Sequence, residues 1–108
     1  MEFFDIYALR AENIVKASEI LASILNLEWE ERESSFMGDY YNVGMTGEEH
    51  LQLRLNYWQP EGWTKPDYKE YPFLFYVSAS DRGPQIEEQL RQSLAENITL
   101  IERKVRNP

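Results

Sequence analysis

Residues 73–79, Phe-Leu-Phe-Tyr-Val-Ser-Ala, form a nearly continuous apolar run, and the helix signal Gly83-Pro84 follows a few positions later. Such a run is typical of a strand covered on both faces, and proline is favoured at the first position of a helix. A second largely apolar strand, Phe3–Leu9, precedes a helix that begins at the capping residue Asn13. We therefore expect both strands to lie in the middle of one sheet.

The order of the other elements completes this prediction. The helices are expected at Asn13–Leu27 and Pro84–Ala95. Further extended segments are expected at Trp29–Phe36, Tyr40–Val43, Leu51–Trp58 and Ile98–Val105. Without the hairpin formed by the first two of these segments, the order is βαββαβ, the split βαβ pattern. The sequence thus predicts an α+β fold with two helices packed on one face of a mainly antiparallel sheet, split-βαβ-like with an inserted hairpin, in one domain over residues 1–108.

The hydrophobic periodicity also predicts a core between helices and sheet. The helix side chains expected there are Ile14, Leu21, Ile24, Leu25, Ile86, Leu90 and Leu94. The strand side chains expected opposite them are Phe4, Ile6, Phe73, Phe75 and Val77.

The charge of the chain restricts its partners. The net charge is −8, from 19 acidic and 11 basic residues, and ten of the acids but only four of the bases lie between Glu28 and Glu70. Such a balance argues against direct nucleic-acid binding, which needs basic patches, and suits a basic protein partner, although acidity also serves solubility alone. The chain has no cysteine and no apolar run long enough to span a membrane, so a cytoplasmic protein is expected.

The sequence carries no recognisable catalytic or metal site. His50 is the only histidine, and no nucleophile motif surrounds Ser34. Glu48, Glu49 and His50 are adjacent, and successive residues of a strand point to opposite faces, so they would not converge on a metal. Glu31 and Glu33 could share a strand face at a spacing suited to glycoside hydrolysis, but a solvated strand face explains them better. The chain is therefore predicted to be no enzyme and to need no cofactor.

Acidic and aromatic residues alternate through the middle of the chain, as at protein interfaces where aromatic side chains anchor and carboxylates steer a cationic partner. The predicted contact residues are Glu31, Glu33, Ser34, Asp39, Tyr40, Trp63, Asp67 and Tyr68. A structural explanation is equally open on these grounds, in which Tyr40 and Tyr41 simply pack on the sheet.

The segment Glu33–Tyr41, Glu-Ser-Ser-Phe-Met-Gly-Asp-Tyr-Tyr, resembles immunity proteins of bacterial polymorphic toxin systems, including contact-dependent growth inhibition. The segments Leu53–Asn56 and Glu70–Val77 are similar to the same family, and the likeness extends from about Phe3 to Leu94. This resemblance implies a cytoplasmic antidote without enzymatic activity that blocks the active site of a cognate toxin domain, often a basic nuclease.

Two other functions remain open at this point: a small-molecule-binding regulatory domain on a ferredoxin-like scaffold, and a small hydrolase or transferase that uses the acidic cluster. The sequence does not determine the oligomeric state.

Overall fold

The computed structural model describes residues 1–45 and 47–107, and within these the chain forms eight strands and two α-helices. The elements in chain order are β1 (Glu2–Leu9), α1 (Ile14–Leu25), β2 (Glu30–Ser34), β3 (Gly38–Val43), β4 (His50–Leu55), β5 (Tyr57–Trp58), β6 (Gly62–Trp63), β7 (Phe73–Ser80), α2 (Gly83–Leu94) and β8 (Ile98–Arg106).

Six of the strands form one sheet in the order β2-β3-β4-β7-β1-β8, and every neighbouring pair is antiparallel. The two strands that precede helices, β1 and β7, lie next to each other in the middle of this sheet. The hairpin β2–β3 extends the sheet beyond β4 and makes β2 one of its edges, while β8 is the other edge. The α+β fold, with a split βαβ arrangement and an inserted hairpin, is confirmed.

Both helices begin and end close to the predicted residues. The side chain of Asn13 caps α1, since its Oδ1 accepts a hydrogen bond of 2.8 Å from the backbone N–H of Lys16. Asn26 ends this helix in the left-handed conformation, at φ 56°. On α2, Ile86 and Leu90 are fully buried, which confirms the predicted phase of that helix. No helix in the described ranges has the length and apolar character needed to cross a membrane.

The core lies between the helices and the face of the sheet that carries Tyr7, Leu9, Leu53 and Phe75. The prediction that Phe4 and Ile6 lie on this side is wrong. Because side chains alternate along a strand, these two residues point to the helix-free face of the sheet, where they are half-buried. The strand is turned over relative to the expectation, with Asp5 on the covered side.

An ion-pair cluster explains how Asp5 is accommodated on that side. Its carboxylate is fully buried and accepts two hydrogen bonds from Arg103 of β8, Nε to Oδ1 at 2.9 Å and Nη2 to Oδ2 at 2.8 Å. Glu87 of α2 contacts the same guanidinium at 3.1 Å. The hydrogen bonds with Asp5 raise the pKa of Arg103 above its usual value. A buried carboxylate is tolerated where such a bidentate partner compensates its charge.

We expect Asp5→Ala to lower the free energy of unfolding by about 3–5 kcal/mol, because it leaves a partly buried guanidinium without its main partner. Chemical denaturation measures this loss. Glu87→Ala is the matched control, and it should cost about 1 kcal/mol, since Arg103 keeps both bonds to Asp5. Equal losses for the two variants would contradict a central role for the Asp5–Arg103 pair.

Candidate functional site

The hairpin of β2 and β3, residues 30–43, presents three carboxylates on one of its faces and is called the acidic hairpin below. Glu33 lies directly opposite Asp39 across the two strands, and Glu31 is two residues along β2 on the same face. Directly opposed side chains have Cβ atoms about 5 Å apart, and residues i and i+2 of a strand are about 7 Å apart. The three carboxylates are therefore close neighbours.

These three carboxylates are exposed, and within residues 1–45 and 47–107 none of them has an ion-pair partner. The nearest cation along β2, Arg32, points to the opposite face and pairs with Glu30. Like charges placed directly across two strands repel each other. The free protein thus holds a local concentration of negative charge that a cationic partner would neutralise.

The turn between β2 and β3 displays an aromatic side chain beside these carboxylates. The hydroxyl oxygen of Ser34 accepts a hydrogen bond of 3.1 Å from the backbone N–H of Phe36, which fixes a tight local turn. Phe36 is 75% exposed, the most exposed large hydrophobic residue in the described chain. A large apolar side chain held in water at the tip of an acidic hairpin has the composition of an interface anchor.

The aromatic loop, defined as residues 56–72, packs against this turn through Trp58. The indole Nε1 of Trp58 donates a hydrogen bond of 3.4 Å to the carbonyl of Ser35, and its ring lies over Gly38. A Cβ at Gly38 would lie 2.6 Å from that ring, and the residue has φ +71°, so glycine is required here for two reasons. Trp58 remains 37% exposed. Gly38 and the ring over it lie on the helix-free side of the hairpin, opposite to the face of the three carboxylates.

A single buried residue, Asn56, organises the aromatic loop. Its side-chain Nδ2 donates to the carbonyls of Lys65, Tyr68 and Tyr71 at 3.4, 3.1 and 3.0 Å, and its Oδ1 accepts from the N–H of Lys65 at 2.8 Å. Its backbone N–H donates to Pro72, and its carbonyl accepts from Thr64, both at 2.8 Å. A loop of this length would ordinarily be mobile. Here the side chain and backbone of Asn56 together bind the middle and the end of the aromatic loop.

The aromatic loop also covers part of the helix-free face. Ala8 and Leu74 lie opposite each other on that face and are fully buried, although the helices pack on the other side of the sheet. Lys65 of the loop reaches across to Glu102 of β8, with Nζ and Oε1 3.6 Å apart. The loop is consequently part of the folded domain.

The predicted contact residues separate into three groups. Glu31, Glu33 and Asp39 are together on one face of the acidic hairpin. Ser34 and Tyr40 lie on its opposite face, towards the helix-free side. The remaining predicted contact residues belong to the aromatic loop: Trp63 stacks against Tyr57 with ring centres 5.0 Å apart, Tyr68 packs near Tyr71 at 6.4 Å, and Asp67 is exposed in a short 3-10 turn.

Tyr40 and Tyr41 have different environments. Tyr41 is 7% exposed and packs edge-on against Trp29 with ring centres 6.1 Å apart, so it belongs to the core. Tyr40 is half-buried on the helix-free face, opposite Arg32. The structural explanation left open by the sequence therefore applies to Tyr41.

Phe36, Trp58 and Tyr57 are exposed aromatic residues that the sequence did not select as contacts. A signal for Phe36 was present: it lies in the turn Ser35-Phe36-Met37-Gly38, where no strand alternation directs it towards a core. The exposure of Trp58 and Tyr57 depends on how the aromatic loop folds, which no local pattern indicates.

The neighbourhood of His50 has a structural explanation. Its Nε2 lies 2.5 Å from Asn42 Oδ1, which also accepts a 3.0 Å hydrogen bond from Gln52, so the ring is held in an amide network. Burial, with a smaller contribution from Arg54, lowers the pKa of His50.

The acids before His50 are also separated by the fold. Glu49 is bound by Arg82 through two hydrogen bonds of 2.8 Å, and this contact lowers the pKa of Glu49. Glu48 is exposed. In the described ranges, no group of three histidine or acidic side chains could hold a metal ion.

The largest cavity among those described is an open groove of about 520 Å³ between the two helices. Its apolar lining consists of Ile20, Ile24 and Leu94, and its rim carries Lys16 and Glu19, which pair with each other at 3.6 Å. A small-molecule site usually encloses its ligand and directs a few polar groups at it. This groove does neither.

Comparison of the sequence with models of known protein families gave no match, and none of the curated proteins compared is significantly similar to it. The resemblance to immunity proteins thus remains a hypothesis, based on the motif at residues 33–41 and the two shorter segments.

We expect Asn56→Ala to lower the free energy of unfolding by about 3 kcal/mol, because it leaves several buried backbone groups without partners. It should also release the aromatic loop, which trypsin would then cleave after the exposed Lys69. The matched control is Gln59→Ala, an exposed residue of the same loop. Limited proteolysis under native conditions, read by mass spectrometry, measures the effect. Unchanged resistance of the Asn56 variant would show that other contacts hold the loop.

Proposed function

We propose that this protein is a cytoplasmic immunity protein that binds a cognate toxin domain, with a basic nuclease as the expected toxin class, and neutralises it by blocking its active site. The proposal includes no enzymatic activity, no cofactor and no direct contact with nucleic acid. The observation that carries it is the exposed Phe36, held on the acidic hairpin beside three carboxylates that have no ion-pair partner among the described residues.

The electrostatics of the acidic hairpin support a basic partner. Glu31, Glu33 and Asp39 repel one another in the free protein, and this repulsion is relieved when lysine or arginine side chains dock against them. The active-site cleft of a nuclease must bind phosphates and is therefore lined with cations. Carboxylates on a rigid strand pair can occupy such phosphate positions, and the overall charge of −8 would speed the encounter.

The aromatic residues support a stable complex beyond electrostatic attraction. The Ser34 turn orders the backbone at Phe36, and the hydrogen bond to Ser35 holds the indole of Trp58, so less conformational freedom is lost when these residues are buried. Rigid aromatic anchors surrounded by a polar rim are typical of the residues that dominate binding energy.

We predict that Glu33→Lys combined with Asp39→Lys weakens binding to the toxin domain by at least 100-fold, about 3 kcal/mol, because it replaces attraction by repulsion at the centre of the surface. Calorimetry or biolayer interferometry with a catalytically inactive toxin domain measures affinity, and growth rescue of cells that express the active toxin measures neutralisation. The association rate of the wild-type complex should fall as salt is raised.

The matched control is Glu12→Lys combined with Glu96→Lys, which changes the net charge equally at two exposed acids outside the acidic hairpin. Glu87 is unsuitable because it contacts Arg103 in the ion-pair cluster. If the Glu12/Glu96 reversal abolishes binding while the Glu33/Asp39 reversal does not, the assigned surface is wrong. If a small ligand stabilises the protein and no toxin partner binds, the proposed function itself fails.

We predict that Phe36→Ala loses about 2 kcal/mol of binding energy, while its melting temperature stays close to that of the wild type because the ring is in water in the free protein. Tyr41→Ala should instead lower the free energy of unfolding by about 3–5 kcal/mol, because Tyr41 is a core residue. Thermal unfolding measured beside affinity separates the two effects. An unfolded Phe36 variant, or one with full affinity, would show that this side chain is not an anchor.

A further inference from the structure

The outer edge of β8 is the longest strand edge that the sheet leaves unpaired in the described chain. β8 runs over nine residues, Ile98–Arg106, and pairs only with β1. An unpaired edge presents backbone N–H and C=O groups that a second strand can bind. We propose that two copies of this protein pair antiparallel along β8, with the two-fold axis at Arg103, and join their sheets into one.

The charges on the helix-free face of β8 are self-complementary in this register. Antiparallel pairing about Arg103 places Glu102 opposite Lys104 of the second copy, and two-fold symmetry repeats the contact with the roles exchanged. Glu102 lies opposite Ile6 and Lys104 opposite Phe4 in the β1 register, so both point to the helix-free face. Opposite charges directly across two strands stabilise the pair.

On the other face, Val105 is 50% exposed in the single chain and would border the second strand. Ile101 lies at an irregularity of β8, where the pairing with β1 shifts between Ile6 and Tyr7, so the regular part of the proposed contact is the segment Glu102–Lys104. At the axis, the two Arg103 side chains meet, but each is directed inwards to Asp5 and Glu87 and its charge is compensated within its own chain. The pairing therefore does not bring two uncompensated cations together.

The opposite edge of the sheet is unsuited to the same contact. β2 carries Glu30, Glu31 and Glu33 among its five residues. Every antiparallel self-pairing centred on a residue from Glu30 to Glu33 sets one of these carboxylates against another across the axis, either against its own copy or Glu31 against Glu33. Like charges directly opposite are destabilising, so this edge resists self-association. The choice of β8 over β2 follows from this difference.

The proposed dimer leaves the acidic hairpin free, because β2 and β8 are at opposite edges of the sheet. The two hairpins would lie at the outer ends of the joined sheet. The inference does not depend on the proposed function, and it is tested on the purified protein without any toxin domain.

The experiment is a charge exchange across the pair, measured by sedimentation equilibrium over a range of micromolar concentrations. The wild-type protein should dimerise. Glu102→Lys and Lys104→Glu should each raise the dimer dissociation constant roughly ten-fold or more, because each puts like charges opposite at two symmetric positions. The double variant Glu102→Lys/Lys104→Glu should restore the wild-type constant to within about three-fold.

The single variants check each other for folding. Glu102→Lys also removes the contact with Lys65, whereas Lys104→Glu leaves that contact intact, and melting temperatures are measured for both. A wild-type protein that is monomeric throughout the concentration range overturns the proposal. The proposal is also overturned if neither single variant weakens the dimer. It is overturned as well if both single variants raise the dissociation constant and the double variant does not restore it.

Discussion

The buried ion pair between Asp5 and Arg103 is the constraint on which the arrangement of the sheet depends. It joins the first strand to the last, and through Glu87 it also ties the second helix to both. Because a buried carboxylate without a bidentate partner would be costly, this contact decides which face of β1 meets the helices. Tyr7 and Leu9 then enter the core, and Phe4 and Ile6 are left on the helix-free face.

A buried polar group has an equivalent role on the other side of the sheet. Asn56 satisfies backbone groups from Thr64 to Pro72 and converts a long connection into an ordered layer over Ala8 and Leu74. The position of Trp58 on the hairpin turn follows from this order. The acidic hairpin and the aromatic loop, which are distant in sequence, thus meet at the turn where Trp58 lies over Gly38.

The two edges of the sheet have opposite electrostatic character, and this difference organises the surface of the protein. At β2, unpaired carboxylates prevent self-association and leave an edge suited to a cationic partner. At β8, Glu102 and Lys104 would lie opposite each other in the proposed pairing with a second copy. A small antiparallel sheet must protect both edges against indiscriminate pairing: repulsion between carboxylates does so at β2, and the proposed pairing with a second copy would do so at β8.

The sequence by itself determined the element order, the central position of β1 and β7, the helix phase at Ile86 and Leu90, and the shared strand face of Glu31 and Glu33, because apolar periodicity and strand alternation are local properties. It did not determine which face of β1 is covered, since that depends on Arg103, 98 residues away. Nor did it determine the exposure of Trp58, which depends on hydrogen bonds from Asn56. Only the tertiary structure decides such features, because the partner that compensates a buried charge or amide is chosen by the fold and not by its neighbours in sequence.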